Sequence, residues 1–236
     1  MVNEFYKILK NLIEIETFLS NEFLVKSSLI LSYFNQHTFN ILYSNEEFRK
    51  IFQDIHFYQE GIGCYLGFKT LGFNNVKRID STYINGIIFI RLIELRKKFF
   101  LIGYNFSDEF LKEKVYFSFN EIVGYQNGYF EESEINRIAE EIRKSGAEFV
   151  LIGMGQPKQE FVAVKLKTLI PNVNYFCVGN FFNFYFGIQK RAPKWIRKLQ
   201  LEWLFRFLLE PGRMFNRYII GIPLFFYRLM KLKFKF

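Results

Sequence analysis

Short apolar runs alternate with longer amphipathic segments from about residue 28 onward. Continuous apolar runs are typical of buried strands, whereas the longer segments have the 3.6-residue period of helices. The predicted strands are Leu29–Phe34, Phe99–Gly103, Phe119–Gly124, Glu148–Gly153 and Asn174–Gly179. The predicted helices are Glu46–Phe52, Gly63–Leu71, Ile84–Leu95, Asp108–Lys112, Glu132–Ser145 and Lys158–Leu169. This alternation predicts an α/β fold, a Rossmann-like parallel sheet flanked by helices.

The end of the chain has a different pattern. Lys194–Leu209 is predicted to be a helix with aromatic residues on one side and basic residues on the other, ended by Pro211 and Gly212. Tyr218–Met230 is apolar but only 13 residues long, whereas a membrane-spanning helix needs about 20. A basic segment with aromatic residues that is too short to span is typical of an interfacial anchor.

The positive charge is confined to the same region. Residues 189–236 hold 12 of the 32 Lys and Arg residues and two of the 23 Asp and Glu residues, so they carry +10 and the remainder −1. This asymmetry predicts a polyanionic partner, which is either an anionic membrane surface or nucleic acid. We favour the membrane, because bulky apolar residues lie between the basic ones and no module that reads nucleic acid is recognisable.

Composition excludes several other classes. Half of the 236 residues are hydrophobic, which rules out a disordered chain. Cys64 and Cys177 are too few for a disulfide framework and predict reduced core thiols. The first residues carry acids within their apolar stretch, so we expect no secretory signal. We divide the chain into an α/β catalytic domain, residues 1–189, and a C-terminal segment, residues 190–236, that binds the membrane.

Two glycine-containing stretches follow predicted strands, where ligands bind in parallel sheets. In VLIGMGQPKQE, Val150–Glu160, a strand leads through glycines into a helix N-terminus, which offers free N–H groups to an anion. In GYQNGYF, Gly124–Phe130, polar and aromatic residues suit a base or ribose. Each stretch taken alone also fits a plain turn between a strand and a helix.

Glu60 is a candidate general base, because transfer to a hydroxyl group requires a carboxylate that removes its proton. A glutamate in front of a helix can equally act as its cap or dipole partner. Metal ligands are not apparent: there is no Asp-x-Asp pair, and His37 and His56 have no ligand companions. Arginines and helix N-termini would then have to stabilise a leaving diphosphate.

The sequence resembles the WecG/TagA/CpsF glycosyltransferases (family 26, GT-E fold) over roughly residues 30 to 225. The resemblance rests on VLIGMGQPKQE, on VGNFFNFYFG at Val178–Gly187, and on KRAPKWIRKLQLEWLFRFLLEPGRMFNRYIIGIPLF at Lys190–Phe225. The last stretch contains Arg-Ala-Pro-x-Trp, Leu-Glu-Trp-Leu and Glu-Pro-x-Arg in the expected order.

The resemblance implies an inverting transferase that uses no metal and no cofactor. Its members move an N-acetylhexosamine-type sugar, by default N-acetylmannosamine or its uronic acid, from a UDP donor to an undecaprenyl-diphosphate-linked sugar. They work peripherally on the cytoplasmic face of the bacterial plasma membrane, in the synthesis of teichoic acid, enterobacterial common antigen, exopolysaccharide or capsule. The resemblance does not determine which sugar is moved, which polymer it enters or the oligomeric state. A homo-oligomer is compatible with it.

The resemblance also assigns roles to residues. Glu60 would be the base, and Arg78 would assist catalysis. The residues expected to bind the donor are Tyr33, Asn35, Gly128, Tyr129, Gly153, Gly155, Lys158, Gln159 and Asn183. The residues expected to contact the diphosphates or the membrane are Arg206, Arg213 and Arg217.

Three positions depart from the family pattern. Glu60 and Asn183 replace aspartates, and Tyr33 replaces a threonine. These changes motivate an alternative, a catalytically weak member that binds nucleotide-sugar or lipid as a scaffold. If the C-terminal segment completes the site only at the membrane, removing the residues after Lys190 should leave folding and UDP binding largely intact while abolishing transfer.

Overall fold

A computed structural model of the chain describes residues 2–10, 12, 28–73, 77–116 and 118–234. Its strands are β1 (Ile30–Phe34), β2 (Ile55–Gln59), β3 (Phe99–Gly103), β4 (Ile122–Gln126), β5 (Phe149–Gly153) and β6 (Asn174–Cys177). They form one sheet in the order β2-β1-β6-β5-β3-β4, and every neighbouring pair is parallel. The predicted α/β fold with a parallel sheet is confirmed.

Helices connect the strands and continue beyond the last one. They are α1 (Val2–Lys10), α2 (Gln36–Ser44), α3 (Glu46–Ile51), α4 (Gly61–Thr70), α5 (Ser81–Glu94), α6 (Asp108–Phe110), α7 (Ile135–Ser145), α8 (Lys158–Leu169), α9 (Phe181–Tyr185), α10 (Lys194–Lys198), α11 (Glu202–Leu209), α12 (Pro211–Phe215) and α13 (Gly221–Lys233). Two π-helical stretches, Leu111–Tyr116 and Asn216–Ile220, extend α6 and join α12 to α13.

The strand side chains alternate between two cores, one on each face of the sheet. Phe100, Ile102, Val150 and Ile152 belong to the first core, which α2, α7 and α8 cover. Their neighbours along the strands belong to the second core, which α5 and α9 cover. Strands that are buried on both faces consist of continuous apolar runs, and this is why the sequence reveals them.

Several elements differ from the sequence prediction. β2 and α2 were missed; the β2 sequence IHFYQ has no continuous apolar run because His56 and Gln59 interrupt it. β4 lies at Ile122–Gln126, later than predicted, because Phe119 packs against the second core before the strand begins. The predicted helix Lys194–Leu209 is two helices separated at Gln200, whose φ of 68° lies in the left-handed region.

The C-terminal segment returns to the sheet. Phe225, Leu229 and Leu232 of α13 are fully buried in the first core, and Phe225 meets the Phe39 ring of α2 at 4.9 Å. Arg228 donates to the Asn40 carbonyl oxygen at 2.9 Å. This burial argues against the expectation that residues after Lys190 can be removed without loss of folding.

The helix before Pro211 ends at Leu209, as predicted. Pro211 then begins α12, as suits a residue without an N–H group at a first helical position. Among the described residues, no helix combines the length and the apolar character that crossing a bilayer requires.

Candidate active site

A cavity of about 560 Å³ opens at the carboxyl edge of the sheet, between the loops after the strands and the C-terminal segment. We call it the first cavity. Its lining residues from the sheet side include Tyr33, Glu60, Ser81, Tyr104, Asn105, Gly128, Tyr129, Gly153, Gly155, Lys158, Asn180 and Asn183. Its lining residues from the C-terminal segment are Arg206, Glu210, Arg213, Met214 and Arg217.

A second cavity, of about 320 Å³, adjoins the first. Its lining is more apolar and includes Leu66, Trp203, Tyr218, Ile222, Phe225 and Phe226. Five arginines also line it, namely Arg78, Arg191, Arg197, Arg206 and Arg217. The two cavities share Glu60, Thr82, Arg206 and Arg217, so one carboxylate and two guanidinium groups lie between them.

Glu60 follows β2 directly and precedes α4. Its backbone N–H donates to the Phe34 carbonyl oxygen at 2.8 Å, which ties it to the end of β1. Its side chain makes no capping hydrogen bond to α4. Instead Asn35 donates from Nδ2 to Glu60 Oε2 at 2.7 Å, and Ser81 donates from Oγ to Oε1. The carboxylate is therefore held at the cavity, and the capping interpretation of Glu60 does not apply.

Asn35 holds this carboxylate from the start of α2. Its Oδ1 accepts from the backbone N–H groups of His37 and Thr38, at 3.0 and 3.1 Å, which fixes the side chain as the helix cap. The amide nitrogen is left to face Glu60. Asn35 lines the second cavity and not the first, so the structure associates it with the carboxylate more closely than with a donor.

The glycines at the strand ends have two different roles. A Cβ on Gly153 would overlap the Tyr104 ring, and one on Gly103 would overlap the Gly153 carbonyl group. Gly155 has a φ of +78° and no atom within 4 Å of its Cβ position. Close packing between adjacent strands thus requires Gly153, whereas the backbone at Gly155 faces open space that a ligand can approach.

The loop after β4 is held by the start of α8. Lys158 donates from Nζ to the Gly128 carbonyl oxygen at 3.0 Å and lies 5.6 Å from the centre of the Phe130 ring. Asn127 accepts the backbone N–H of Tyr129 at 3.0 Å. The Tyr129 side chain is 80% exposed at the cavity. An aromatic face on an anchored loop is suited to stacking against a planar ring.

Gln159 does not line either cavity, contrary to its predicted contact with the donor. The side chain is fully buried; its Oε1 accepts from Gly179 N at 3.2 Å and its Nε2 donates to Glu160 Oε1 at 2.8 Å. Ser32 donates to the same Glu160 oxygen at 2.5 Å. Burial raises the pKa of Glu160. Gln159 therefore joins α8 to the loop after β6, beneath the cavity.

A chain of polar side chains connects that loop with the C-terminal segment. Asn183 donates to Asn180 at 2.7 Å, and Asn180 donates to Gln189. Gln189 donates to Glu210 Oε1 at 2.8 Å, and the other Glu210 oxygen pairs with Arg213. Asn183, predicted to contact the donor, thus belongs to the wall of the first cavity.

The three predicted arginines of the C-terminal segment differ in their partners. Arg213 pairs with Glu210, and Arg206 lies 3.8 Å from Glu202 and over the Phe184 ring. Among the described residues, no carboxylate pairs with Arg217, and its buried Nε has no hydrogen-bond partner. Arg217 is consequently the cation of this set that has no ion-pair partner in the described part of the chain.

Eleven of the fourteen predicted site residues line the first cavity, Arg78 and Asn35 line the second, and Gln159 lines neither. Sequence reasoning missed Ser81, Asn180, Glu210 and Arg191. Glu210 and Arg191 lie inside the motifs Glu-Pro-x-Arg and Arg-Ala-Pro, which was a usable signal. Ser81 and Asn180 are isolated polar residues without such a signal. Within the described ranges, no three His, Cys, Asp or Glu side chains cluster as metal ligands.

A parallel α/β sheet with a cavity at its carboxyl edge, a carboxylate held within it and guanidinium groups opposite is an arrangement suited to group transfer. The comparison with protein families makes this specific. The family described as "Glycosyl transferase WecG/TagA/CpsF family" matches residues 12–236, and the chain belongs to this family. The match extends beyond the predicted residues 30 to 225 at both ends. The protein is thus a glycosyltransferase by family, and the family implies cell-envelope polysaccharide synthesis.

Proposed function

We propose that the protein transfers an N-acetylhexosamine-type sugar from a UDP donor to a sugar on an undecaprenyl-diphosphate carrier, with inversion and without a metal ion. The donor occupies the first cavity and the acceptor occupies the second. Glu60 is the general base between them. The enzyme works peripherally on the cytoplasmic face of the bacterial plasma membrane, with residues 190–236 as its membrane-binding part.

The first cavity suits a nucleotide diphosphate. The N-terminus of α8 begins at its wall, where the positive end of the helix dipole favours an anion. Tyr129 offers a ring for stacking against the uracil base, which is worth about 1–3 kcal/mol for one base. Gly155 allows the diphosphate to approach the backbone.

The second cavity suits a lipid-linked diphosphate. Guanidinium groups pair bidentately with phosphate oxygens, and aromatic side chains such as Trp203 and Phe226 provide contacts for a prenyl chain. Large apolar side chains remain exposed along the C-terminal segment: Trp195, Leu199, Leu208, Leu209, Phe215, Ile219, Ile220, Tyr227, Met230 and Phe234. Together with the basic residues they suit an anionic lipid surface.

The reaction is a single displacement. The acceptor hydroxyl oxygen attacks the anomeric carbon and forms the new glycosidic bond as the bond to UDP breaks, and the electron pair leaves with the diphosphate. Glu60 takes the hydroxyl proton, while Arg217 and Arg206 stabilise the negative charge on the leaving group. Attack from the side opposite the leaving group inverts the configuration.

One observation carries this proposal: Glu60, Arg206 and Arg217 line both cavities. A base and two cations at the junction are the groups that a transfer between two anionic substrates requires. The scaffold alternative does not need them there.

Replacing Glu60 by Gln tests the base. We expect kcat to fall by about 10²–10⁴-fold, because proton transfer loses its acceptor, while UDP binding is retained. The assay screens UDP-sugars against a sugar-bearing short-chain prenyl diphosphate on anionic vesicles and identifies products by mass. Glu148→Gln is the matched control, since Glu148 pairs with Lys97 and lines neither cavity.

Unchanged turnover in Glu60→Gln would refute the assignment of the base. Metal independence is tested with a chelator. If chelation abolished transfer and magnesium restored it, the metal-free scheme would be wrong.

A further inference from the structure

Asp80, the N-cap of α5, and Ser81, its first residue, contact two different parts of the site. Ser81 Oγ donates to Glu60 Oε1. Its neighbour Asp80 accepts through Oδ2 from Arg191 Nη2 of the C-terminal segment. Adjacent residues of one turn thus touch the proposed base and the segment that closes the cavities.

Ser81 and Asn35 together determine the orientation of the Glu60 carboxylate. Each oxygen receives one donor, Oε1 from Ser81 and Oε2 from Asn35. An ionised carboxylate has about four lone-pair sites, so a lone pair on each oxygen stays available for the proton of an acceptor hydroxyl. Loss of either donor frees the carboxylate to rotate.

Asp80 fixes the turn that carries Ser81. Its Oδ1 caps α5 by accepting from the backbone N–H groups of Thr82 and Tyr83, at 3.0 and 3.3 Å. Its Oδ2 is left for Arg191, so the two oxygens serve the helix and the C-terminal segment separately.

Arg191 is itself held in a defined orientation. Its Nε and Nη2 donate to the two oxygens of Glu202, at 3.1 and 3.2 Å, and its side chain is largely buried. Glu202 also lies 3.8 Å from Arg206, which lines both cavities. A continuous series of ion pairs therefore runs from the turn to the arginines of the site.

We propose that Ser81 is a positioning residue for Glu60, and that Arg191 fixes Ser81 in place by pairing with Asp80. The C-terminal segment thereby contributes to the orientation of the base as well as to the positive charge. This inference rests on the proposed function of Glu60.

Ser81→Ala is the direct test. We expect kcat to fall about tenfold with KM for the UDP-sugar within about twofold, since a misplaced catalytic group slows the chemical step without weakening donor binding. Ser81→Thr keeps the hydroxyl and should recover most of kcat. Ser145→Ala is the control, because Ser145 Oγ bonds only the Ile142 carbonyl oxygen and a backbone N–H at the end of α7.

Asp80→Asn tests the contribution of the C-terminal segment. Asparagine retains the cap of α5 but loses the charge that pairs with Arg191, so folding should persist while kcat falls severalfold. Arg191→Met should give the same loss. The double variant with Ser81→Ala should lose less kcat than the product of the two single fold-losses, because both changes act through the same carboxylate. Arg137→Met, which removes an arginine that pairs with two glutamates on the surface of α7, is the control.

The inference would be overturned by wild-type kcat in Ser81→Ala, or by a loss of kcat in Ser81→Ala that Ser81→Thr does not recover. If the kcat losses of Ser81→Ala and Arg191→Met simply multiplied in the double variant, the proposed coupling between Ser81 and Arg191 would also be wrong. These outcomes are separate from a failure of the proposed function, which Glu60→Gln reports independently.

Discussion

The sheet side and the C-terminal side of the site differ in their balance of charge. The sheet side contributes mainly neutral groups, such as Tyr129, Asn183 and the exposed backbone at Gly155, together with Lys158 and the carboxylate of Glu60. The C-terminal side contributes most of the arginines of the two cavities. Recognition of a base and sugar needs hydrogen bonds and stacking, whereas a leaving diphosphate needs positive charge, so the two sides suit different parts of one reaction.

The charged side is joined firmly to the rest of the protein. Its last helix, α13, completes the first core on α2 and α4. The arginines are positioned because the segment that carries them is buried at its far end.

Phe225→Ala should destabilise the whole protein by about 3–5 kcal/mol, because it leaves a cavity where a buried aromatic ring was. Phe225 is 0% exposed, and a Cβ on Gly67 of α4 would lie 2.7 Å from its ring. Urea unfolding followed by circular dichroism measures the change. Phe234→Ala, at a side chain that is 82% exposed, is the control and should leave the midpoint in place.

Equal midpoints for the two phenylalanine variants would mean that α13 is independent of the sheet. That result would restore the expectation that residues after Lys190 can be removed without unfolding the remainder.

Arg217→Met should lower kcat by about 10²-fold, the usual cost of losing one group that stabilises transition-state charge. Arg213→Met should have a smaller effect, since Glu210 already compensates the charge of Arg213. Steady-state kinetics with the donor identified in the screen measures both. Equal losses of kcat in the two variants would show that the ion pair with Glu210 does not make Arg213 less important than Arg217 for the reaction.

Lowering the pH should decrease the free energy of unfolding through His37. Burial, and then the charge of Arg217, lower its pKa from 6.5 to about 4. Because the unfolded chain binds this proton first, stability is unaffected above pH 6.5 and falls as the pH drops from 6.5 towards 4, by something on the order of 2 kcal/mol.

His37→Gln should remove that part of the pH dependence in urea unfolding measured between pH 7 and pH 4. Arg217→Met should reduce it, because one of the two causes is gone. If the free energy of unfolding changed with pH equally in wild type and in His37→Gln, the assignment of this pH dependence to His37 would be wrong.

Much of the sheet and of the site could be predicted because local sequence carried the signal. β3 and β5 are continuous apolar runs, and Gly155 and Lys158 lie in a strand-to-helix motif. Gln159 belongs to the same motif, yet its side chain points into the protein. A motif identifies which residues surround a turn, but it does not determine which of them face the ligand.

Composition and the order of residues were enough to predict the parallel α/β fold, the family and the concentration of positive charge in the last fifth of the chain. The three-dimensional arrangement was needed to show that Ser81 meets Glu60, that Arg191 meets Asp80 and that α13 completes the core. Such contacts join residues far apart in the chain. Their formation depends on how the strands are ordered and how the helices pack, which no local pattern specifies.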